Sequence, residues 1–286
     1  MTQGKFRPVL FVVIIWMHAM ACLALWYEWN FGFTLSALLW LIGVHTLRSV
    51  GISLGNHRLF THRSFKCHFP TEVLLDFCGA MAAQGSLLKW VLDHDQHHKD
   101  TEGLWDPHTP AKFGGVAGFL WAHCVWLFYD VKRPSKDFAL ISARKNVRIA
   151  KWDKWVYPIG LLSGFVIPFY FEGFAGLLLV GFLGVVISWH ITWCVNSVCH
   201  LFGGADPAFQ KTRDQSRNNW PLSLLSYIGE AWHNYHHQKA DSAFLGWRWY
   251  QPDLGKWILI VGEKAGLFWD INRPPTEAKQ KQLVFE

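Results

Sequence analysis

Four long runs of apolar residues alternate with polar stretches along the chain and predict its architecture. Residues 9–27, 155–171 and 174–199 contain no charged side chain, and residues 31–54 contain only Arg48. A helix needs about 20 apolar residues to cross a bilayer. The shorter run at 155–171 also fits a buried helix of a soluble core, but its long apolar neighbour favours the membrane. The pattern predicts four transmembrane helices in two hairpins.

Charge placement predicts how these helices are oriented. The connections at 28–30 and 172–173 contain no Lys or Arg, and all 27 basic residues lie at the N-terminus, within 48–154 or after the fourth run. By the positive-inside rule, both termini and the central stretch are cytoplasmic. The first run has features of a cleavable signal peptide, but it continues into an aromatic belt at 26–29, which favours a retained helix. The same bias explains the net charge of +6, and the sequence gives no indication of nucleic-acid binding.

Histidine spacing is the strongest chemical signal in the sequence. Two triplets repeat the pattern His-x-x-His-His, which places three imidazoles on one face of a helix. Because zinc takes four ligands, nine grouped imidazoles exceed the needs of one ion and indicate two transition-metal ions. Isolated histidines such as His18 and His45 are more typical of packing. The nine grouped histidines are His57, His62, His94, His97, His98, His200, His233, His236 and His237.

The positions of these histidines constrain the remaining apolar stretches at 73–92 and 114–131. If either stretch crossed the bilayer, the histidine groups would lie on opposite sides and could not share a site. We therefore expect residues 73–92 to form an interfacial amphipathic helix and residues 114–131 to be interfacial or re-entrant. His57 and His62, five residues apart, should lie at a helix end. A helix over 174–199 would be about 39 Å long, so Asn196 and His200 should extend beyond the bilayer.

The predicted fold is thus an all-α integral membrane protein with one domain over residues 1–286. A cytoplasmic helical cap, formed by about 55–154 and 200–272, would carry the two-metal site, and residues 273–286 would be a loose tail. The six cysteines lack paired C-x-x-C spacing and are interpreted as small core residues rather than disulfides or ligands.

Four motifs around the histidines resemble those of a known family. The segments GNHRLFTHR at 55–63, DHDQHHK at 93–99 with DPH at 106–108, and GEAWHNYHH at 229–237 resemble the three histidine boxes of membrane fatty acid desaturases. The segment NSVCHLFG at 196–203 resembles an additional motif of the acyl-CoA (Δ9)-desaturase-like branch. The second box departs from the usual pattern, since Asp95 and Gln96 stand where a basic residue is often found. The ligand positions are intact.

The resemblance implies a non-haem di-iron enzyme that uses O₂ to insert a cis double bond into a saturated acyl chain, at Δ9 in this branch. All nine histidines would be ligands of two Fe²⁺ ions, and Asn196 would reach one ion through water. The spacing does not tell which histidine binds which iron. In relatives, the bent acyl tunnel is lined at positions that correspond here to Gln84, Trp90, Thr192 and Trp193.

The surroundings of the histidines suggest further roles. Each ligand histidine is expected to donate its second ring N–H to a carboxylate or carbonyl, and Asp93, Asp106 and Glu230 adjoin the boxes.

Removing hydrogen from an unactivated CH₂ group needs a strong oxidant, which iron and O₂ supply. The sequence shows no flavin, nicotinamide, haem or iron–sulfur motif. We therefore expect a separate electron donor, either a ferredoxin or a cytochrome b5-type protein.

Other functions remain compatible with the sequence. A membrane fatty-acid hydroxylase can use the same ligands, a metal transporter would place its histidines near the membrane midplane, and a zinc hydrolase would differ in metal content and O₂ consumption. The substrate is expected to be an acyl-CoA or an acyl-lipid, and membrane lipid is expected to surround the protein. A basic group in the cap fits either a phosphate-bearing head group or a lipid-facing loop: Lys211, Arg213 and Arg217.

Overall fold

The computed structural model describes residues 4–133, 147–206 and 213–274. The predicted all-α class is confirmed, because helices dominate these residues and the only sheet described is one antiparallel pair, β1 (Lys66–Cys67) with β2 (Phe268–Trp269). The helices are α1 (Pro8–Phe31), α2 (Leu35–Val50), α3 (Phe69–Ala80), α4 (Leu87–Lys99), α5 (Gly115–His123), α6 (Val147–Gly176), α7 (Gly184–Leu201), α8 (Trp220–Leu225), α9 (His233–Gln238) and α10 (Leu254–Lys264). Of the predicted tail at 273–286, residues 275–286 lie outside the described part.

The first two predicted spans lie near the N-terminus. Helix α1 is long and apolar enough to cross a membrane, and so is Leu35–Thr61, in which α2 continues directly into a π-helix at Gly51–Thr61. The connection between them does not lie at 28–30 as predicted, since those residues extend α1. The turn instead uses Gly32, whose φ of 83° suits a residue without Cβ. The hydroxyl of Thr34 then caps α2 by accepting from Ala37 N.

The third candidate span is a continuous helical stretch, Lys151–Leu201, of 51 residues. At 1.5 Å per residue it would extend about 76 Å, more than twice the hydrocarbon thickness. It is broken at Gly173, whose φ of 60° and ψ of −143° are not helical. The stretch therefore has two arms that meet where the sequence predicts a turn.

Arg48 ties the apolar helices together. Its guanidinium is fully buried and donates to the carbonyl oxygens of Met81, Gly164 and Val180 at 3.0, 3.1 and 2.8 Å. Met81 directly follows α3, Gly164 lies in α6, and Val180 lies in the π-helical segment Leu177–Leu183. An intramembrane charge is costly unless it is bonded in this way. Arg48 thus fixes the relative positions of three segments beneath the site.

The remaining helices form the part of the fold predicted as a cap. Residues 73–92 are not one amphipathic helix, because positive φ values at Ala83 and Gly85 separate α3 from α4. Within 114–131, α5 is too short to span a bilayer. A buried core joins the segment after α2 to the C-terminal part of the chain through Phe60, Phe65, Leu259 and Phe268. All six cysteines are free, and Cys22 is exposed rather than in the core.

Candidate metal centre

The histidines of the first box lie on the π-helix and its end. His57 is buried within Gly51–Thr61, and His62 directly follows it. The backbone N–H of His62 donates to the carbonyl of His57 at 3.0 Å, which closes a turn of five residues. In an α-helix an offset of five would separate the two side chains, but here their rings lie 4.8 Å apart. The wide turn is what lets this pair face one site.

The nine histidines converge in two adjoining clusters. Helix α4 contributes the second box, the last turn of α7 contributes His200, and α9 contributes the third box. In each cluster, one nitrogen per residue lies within 4.8 Å of every other. We define cluster A as His57, His62, His94, His98 and His236, and cluster B as His97, His200, His233 and His237.

Each His-x-x-His-His triplet divides between the two clusters. On α4, His94 and His98 belong to cluster A, whereas His97 reaches cluster B, where its Nε2 lies 3.2 Å from that of His237. On α9 the pattern is reversed, since His236 Nε2 lies 2.9 Å from His98 Nε2 in cluster A. Residues four apart stay together, and the residue at offset three crosses over. The two helices therefore interlock across both clusters.

Carboxylates contact the second ring nitrogen of four of these histidines. Glu230 lies 2.8 Å from His57 Nδ1, and Asp106 lies 2.9 Å from His97 Nδ1. Asp106 also accepts from the backbone N–H groups of Glu102 and His108, so it acts as an acceptor towards His97. Burial raises the pKa of Glu230, but His57, Arg58 and Ser53 outweigh this effect and hold it below its usual value. Both carboxylates fix ring orientation, as expected for metal-binding histidines.

Two further carboxylates of this kind were not predicted, and one prediction was wrong. Glu102 contacts His200 Nδ1 and Asp214 contacts His237 Nδ1, each at 2.8 Å. Asp93, by contrast, contacts Arg133 at 2.6 Å and Lys89 rather than a histidine ring. Successive residues of a helix point about 100° apart, so the neighbour of His94 in sequence faces away from its ring. Glu102, one turn beyond the second box, offered a weak sequence signal; Asp214 offered none.

Burial and the proximity of other imidazoles favour the neutral form of most of these rings. Seven of them have a pKa well below the usual value: His62, His94, His97, His98, His233, His236 and His237. Where Nδ1 donates to a carboxylate, a neutral ring leaves an unprotonated lone pair on Nε2. In cluster B, such lone pairs of His97 and His237 point into one small space.

The spacing of these nitrogens suits metal ions. Neighbouring Nε2 atoms lie 2.9 to 3.2 Å apart in cluster A and 3.0 to 3.2 Å apart in cluster B. Imidazole nitrogens bind divalent transition metals at about 2.1 Å, so two ligands at right angles would lie about 3.0 Å apart. Converging lone pairs at this spacing would repel one another without a cation between them. The residues therefore fit one ion in each cluster.

A largely apolar cavity of ≈ 740 Å³ reaches cluster A at His94. His94, Asn196, Trp193 and the other predicted tunnel residues line it. Gln84 donates to Thr192 Oγ1 at 2.8 Å and accepts from Trp90 Nε1 at 3.2 Å, which forms a bridge across the cavity wall. The bridge residues also line a second cavity of ≈ 60 Å³, which extends beyond them towards His45 and Ser188.

Arg213, one of the basic residues predicted for this region, has protein partners. Arg213 donates to Thr101 O at 3.0 Å and pairs with Asp100 at 2.8 Å, so it closes the C-terminal end of α4. Lys211 lies outside the described residues. The contacts of Arg213 are those of a structural residue in the cap.

The chain also matches a known family over most of its length. Residues 50–260, which include both clusters, match the family described as fatty acid desaturase. The chain belongs to the fatty acid desaturase family. This desaturase is 35% identical over 265 residues to "Delta-9 acyl-lipid desaturase 1" of Arabidopsis thaliana, which covers 89% of this chain and 81% of the relative.

Two further relatives extend the comparison. The "sn-2 palmitoyl-lipid 9-desaturase" of Nostoc sp. (strain 36) is 35% identical over 276 residues, or 91% of this chain and 88% of the relative. The "Hex-5-enoyl-[acyl-carrier protein] acetylenase" of Moorena producens (strain JHB) is 34% identical over 250 residues, or 82% and 76%. The desaturase is therefore an oxidoreductase that acts on fatty acyl chains, and the predicted family is confirmed.

Proposed function

We propose that this desaturase introduces a cis double bond at the Δ9 position of a saturated acyl chain, with O₂ as oxidant and two iron ions as cofactor. The convergence of imidazole nitrogens in two adjoining clusters, beside an apolar cavity, carries this proposal. The names of the relatives support Δ9. In the overall reaction, –CH₂–CH₂–, O₂, two electrons and two protons give –CH=CH– and two molecules of water.

The two clusters support an assignment of the ligands that the sequence left open. Cluster A would hold one ion with five imidazoles, and cluster B would hold the other with four. Asn196, which lines both cavities, would reach an ion through water. Imidazole ligands suit iron among other transition metals. When bound, the iron ions supply the O₂ activation that no side chain can provide.

The protein itself would place the substrate and keep the metal site dry. The apolar cavity would hold the acyl chain, and the Gln84–Thr192–Trp90 bridge would set its course beside His94. This is catalysis by positioning, since the wall decides which carbons lie near the metals. Trp193 would complete the wall on the side of α7. The smaller cavity beyond the bridge would receive the methyl end of the chain.

The membrane arrangement is part of the same proposal. The two arms of Lys151–Leu201, together with α1 and α2, would give four crossings in two hairpins, with the cap and both termini on the cytoplasmic side. A separate cytoplasmic donor, a ferredoxin or a cytochrome b5-type protein, would supply the two electrons. The acyl carrier would be CoA or a membrane lipid.

The experiment is expression in a host that lacks unsaturated fatty acids, followed by mass spectrometry of the lipids. A desaturase product has lost two hydrogens, and fragmentation locates the double bond. The alternative, a membrane fatty-acid hydroxylase, would give a product that has gained one oxygen. Iron and zinc contents of the purified protein distinguish both from a zinc hydrolase. An oxygenated product, or none, would overturn the proposal.

Replacement of Glu230 by glutamine tests the role of the carboxylates. His57 would lose an ionised acceptor, so the affinity for Fe²⁺ should fall by about 10- to 100-fold. Titration of metal-depleted protein with Fe²⁺ measures this change directly. The matched control is Glu263→Gln, which removes a surface partner of Arg273 and should leave the titration unchanged. Equal affinities in the two variants would contradict the assignment.

A further inference from the structure

Three histidines outside the metal centre form a hydrogen-bonded chain. His18 Nε2 lies 3.1 Å from His190 Nε2, and His190 Nδ1 lies 3.0 Å from His123 Nε2. At one end, His18 Nδ1 lies 2.7 Å from the carbonyl of Ile14, and at the other end His123 Nδ1 lies 3.0 Å from Ser197 Oγ. The chain links α1, α7 and α5, three elements that are distant in sequence.

The carbonyl at one end sets the direction of the bonds between the three histidines. A carbonyl only accepts, so His18 must donate through Nδ1, and a neutral His18 accepts at Nε2. His190 then donates through Nε2 and accepts at Nδ1, where His123 donates. The hydroxyl of Ser197, which contacts His123 Nδ1 at the end of the chain, donates to the carbonyl of Trp193 at 2.8 Å. Neutral imidazoles would satisfy the three links from Ile14 to His123.

All three imidazoles pack around the indole of Trp193. The ring of His18 stacks on it with centroids 6.1 Å apart, and the rings of His190 and His123 meet it at 5.1 and 5.7 Å with steep interplanar angles. Trp189 covers a further side at 5.6 Å. Trp193 in turn lines the acyl cavity together with Asn196 and His94. The three histidines thus pack against a residue of the cavity wall without lining the cavity themselves.

His18 and His190 are polar residues within helices that are long and apolar enough to cross a membrane. Polar residues in such helices are costly and are usually functional. Apolar side chains could pack equally well there, but they would let α1 and α7 slide and rotate. Directional hydrogen bonds in low-dielectric surroundings allow only one arrangement. The hydrogen bonds between the three histidines therefore fix the orientation of the Trp193 indole, which packing alone would not do.

We propose that the His18–His190–His123 chain is a positioning device that holds Trp193 and thereby selects the carbon atoms that react. The proposal rests on the function proposed above. The three histidines do not touch the reacting carbons; they act through Trp193. Weakening the chain should therefore broaden the distribution of reaction positions along the acyl chain, whereas a merely structural role would only lower the yield.

Two substitutions at His18 separate ring packing from hydrogen bonding. His18→Phe keeps the stacked ring but removes the acceptor for His190, and His18→Gln keeps an acceptor oxygen at similar reach. Small displacements of a reacting group have large effects on rate, so His18→Phe should raise the fraction of products modified at other carbons by about tenfold. His18→Gln should restore most of the wild-type distribution. His123→Phe, which breaks the second link, should broaden it as His18→Phe does.

The measurement is the position of the modified carbon, read by mass spectrometry of lipids from the expressing cells. A ratio of positions does not depend on how much protein folds, and iron content per protein should stay unchanged in every variant. The control is His68→Phe, since His68 is exposed and its ring contacts that of Trp269, away from the cavity. The kind of product, alkene or alcohol, tests the proposed function, while its position tests the histidine chain. Unchanged positions in His18→Phe and His123→Phe would overturn this inference.

Discussion

Replacement of His97 by alanine is expected to abolish product formation while the protein stays in the membrane. His97 crosses from α4 into cluster B, where its Nε2 lies among those of His200, His233 and His237. Removing a hydrogen-bond partner of a metal ligand costs about 10- to 100-fold, so removing the ligand itself should cost more than about 100-fold in product yield. Mass spectrometry of lipids from expressing cells measures the loss.

The same variant tests how the ligands are divided. Because His97 belongs to cluster B, the purified protein should lose iron mainly from one of two sites, and the content should fall from two ions towards one. His68→Ala removes an exposed histidine outside both clusters and should change neither yield nor iron content. Full turnover in His97→Ala would disprove its role as a ligand.

The spacing of the histidines predicted that they would gather, but not how they would divide. The repeated triplet indicated two helix faces directed at metals. The division depends on the way α4 and α9 pack against each other, which brings His97 beside His237 and His236 beside His98. That packing is a tertiary property, and no local pattern encodes it.

The first box shows a local feature that the sequence did not reveal. An offset of five is unfavourable for a shared face on an α-helix, so the pair at 57 and 62 was expected at a helix end. The end is where the structure places it, but the π-helical turn is what brings the two rings together. Apolar periodicity is nearly the same for α- and π-helices over so few residues, so it could not distinguish them.

Hydropathy predicted the candidate spans better than it predicted their boundaries. Apolar runs with at most one charge mark α1, α2 and both arms of Lys151–Leu201, and the turn at Gly173 lies where it is predicted. The first turn is misplaced because the polarity of residues 28–30 predicts a loop. Glu28 is buried in α1 instead. Composition alone does not distinguish a polar helix end from a turn.

Replacement of Asp253 by alanine is expected to cause a large loss of stability. Asp253 is buried at the start of α10 and pairs at 3.0 Å with Arg58, whose side chain is also buried. It accepts as well from the backbone N–H groups of Leu245, Gly246 and Lys256. Without it, a guanidinium stays buried and several donors lose their acceptor, at a cost of about 3–5 kcal/mol. The midpoint of thermal unfolding in detergent should fall by about 10 °C.

The control for this variant is the exposed pair of Lys66 and Asp270, whose side chains are more than 60% accessible and 2.8 Å apart. Lys66→Ala should cost at most about 1 kcal/mol, because water already solvates both charges. The loss in Asp253→Ala should also reach the metals, since Arg58 follows His57 in the first box and lies 3.9 Å from Glu230. Weakened iron binding together with a lowered midpoint would link the cap's buried ion pair to cluster A. An unchanged midpoint would show that the cap does not depend on it.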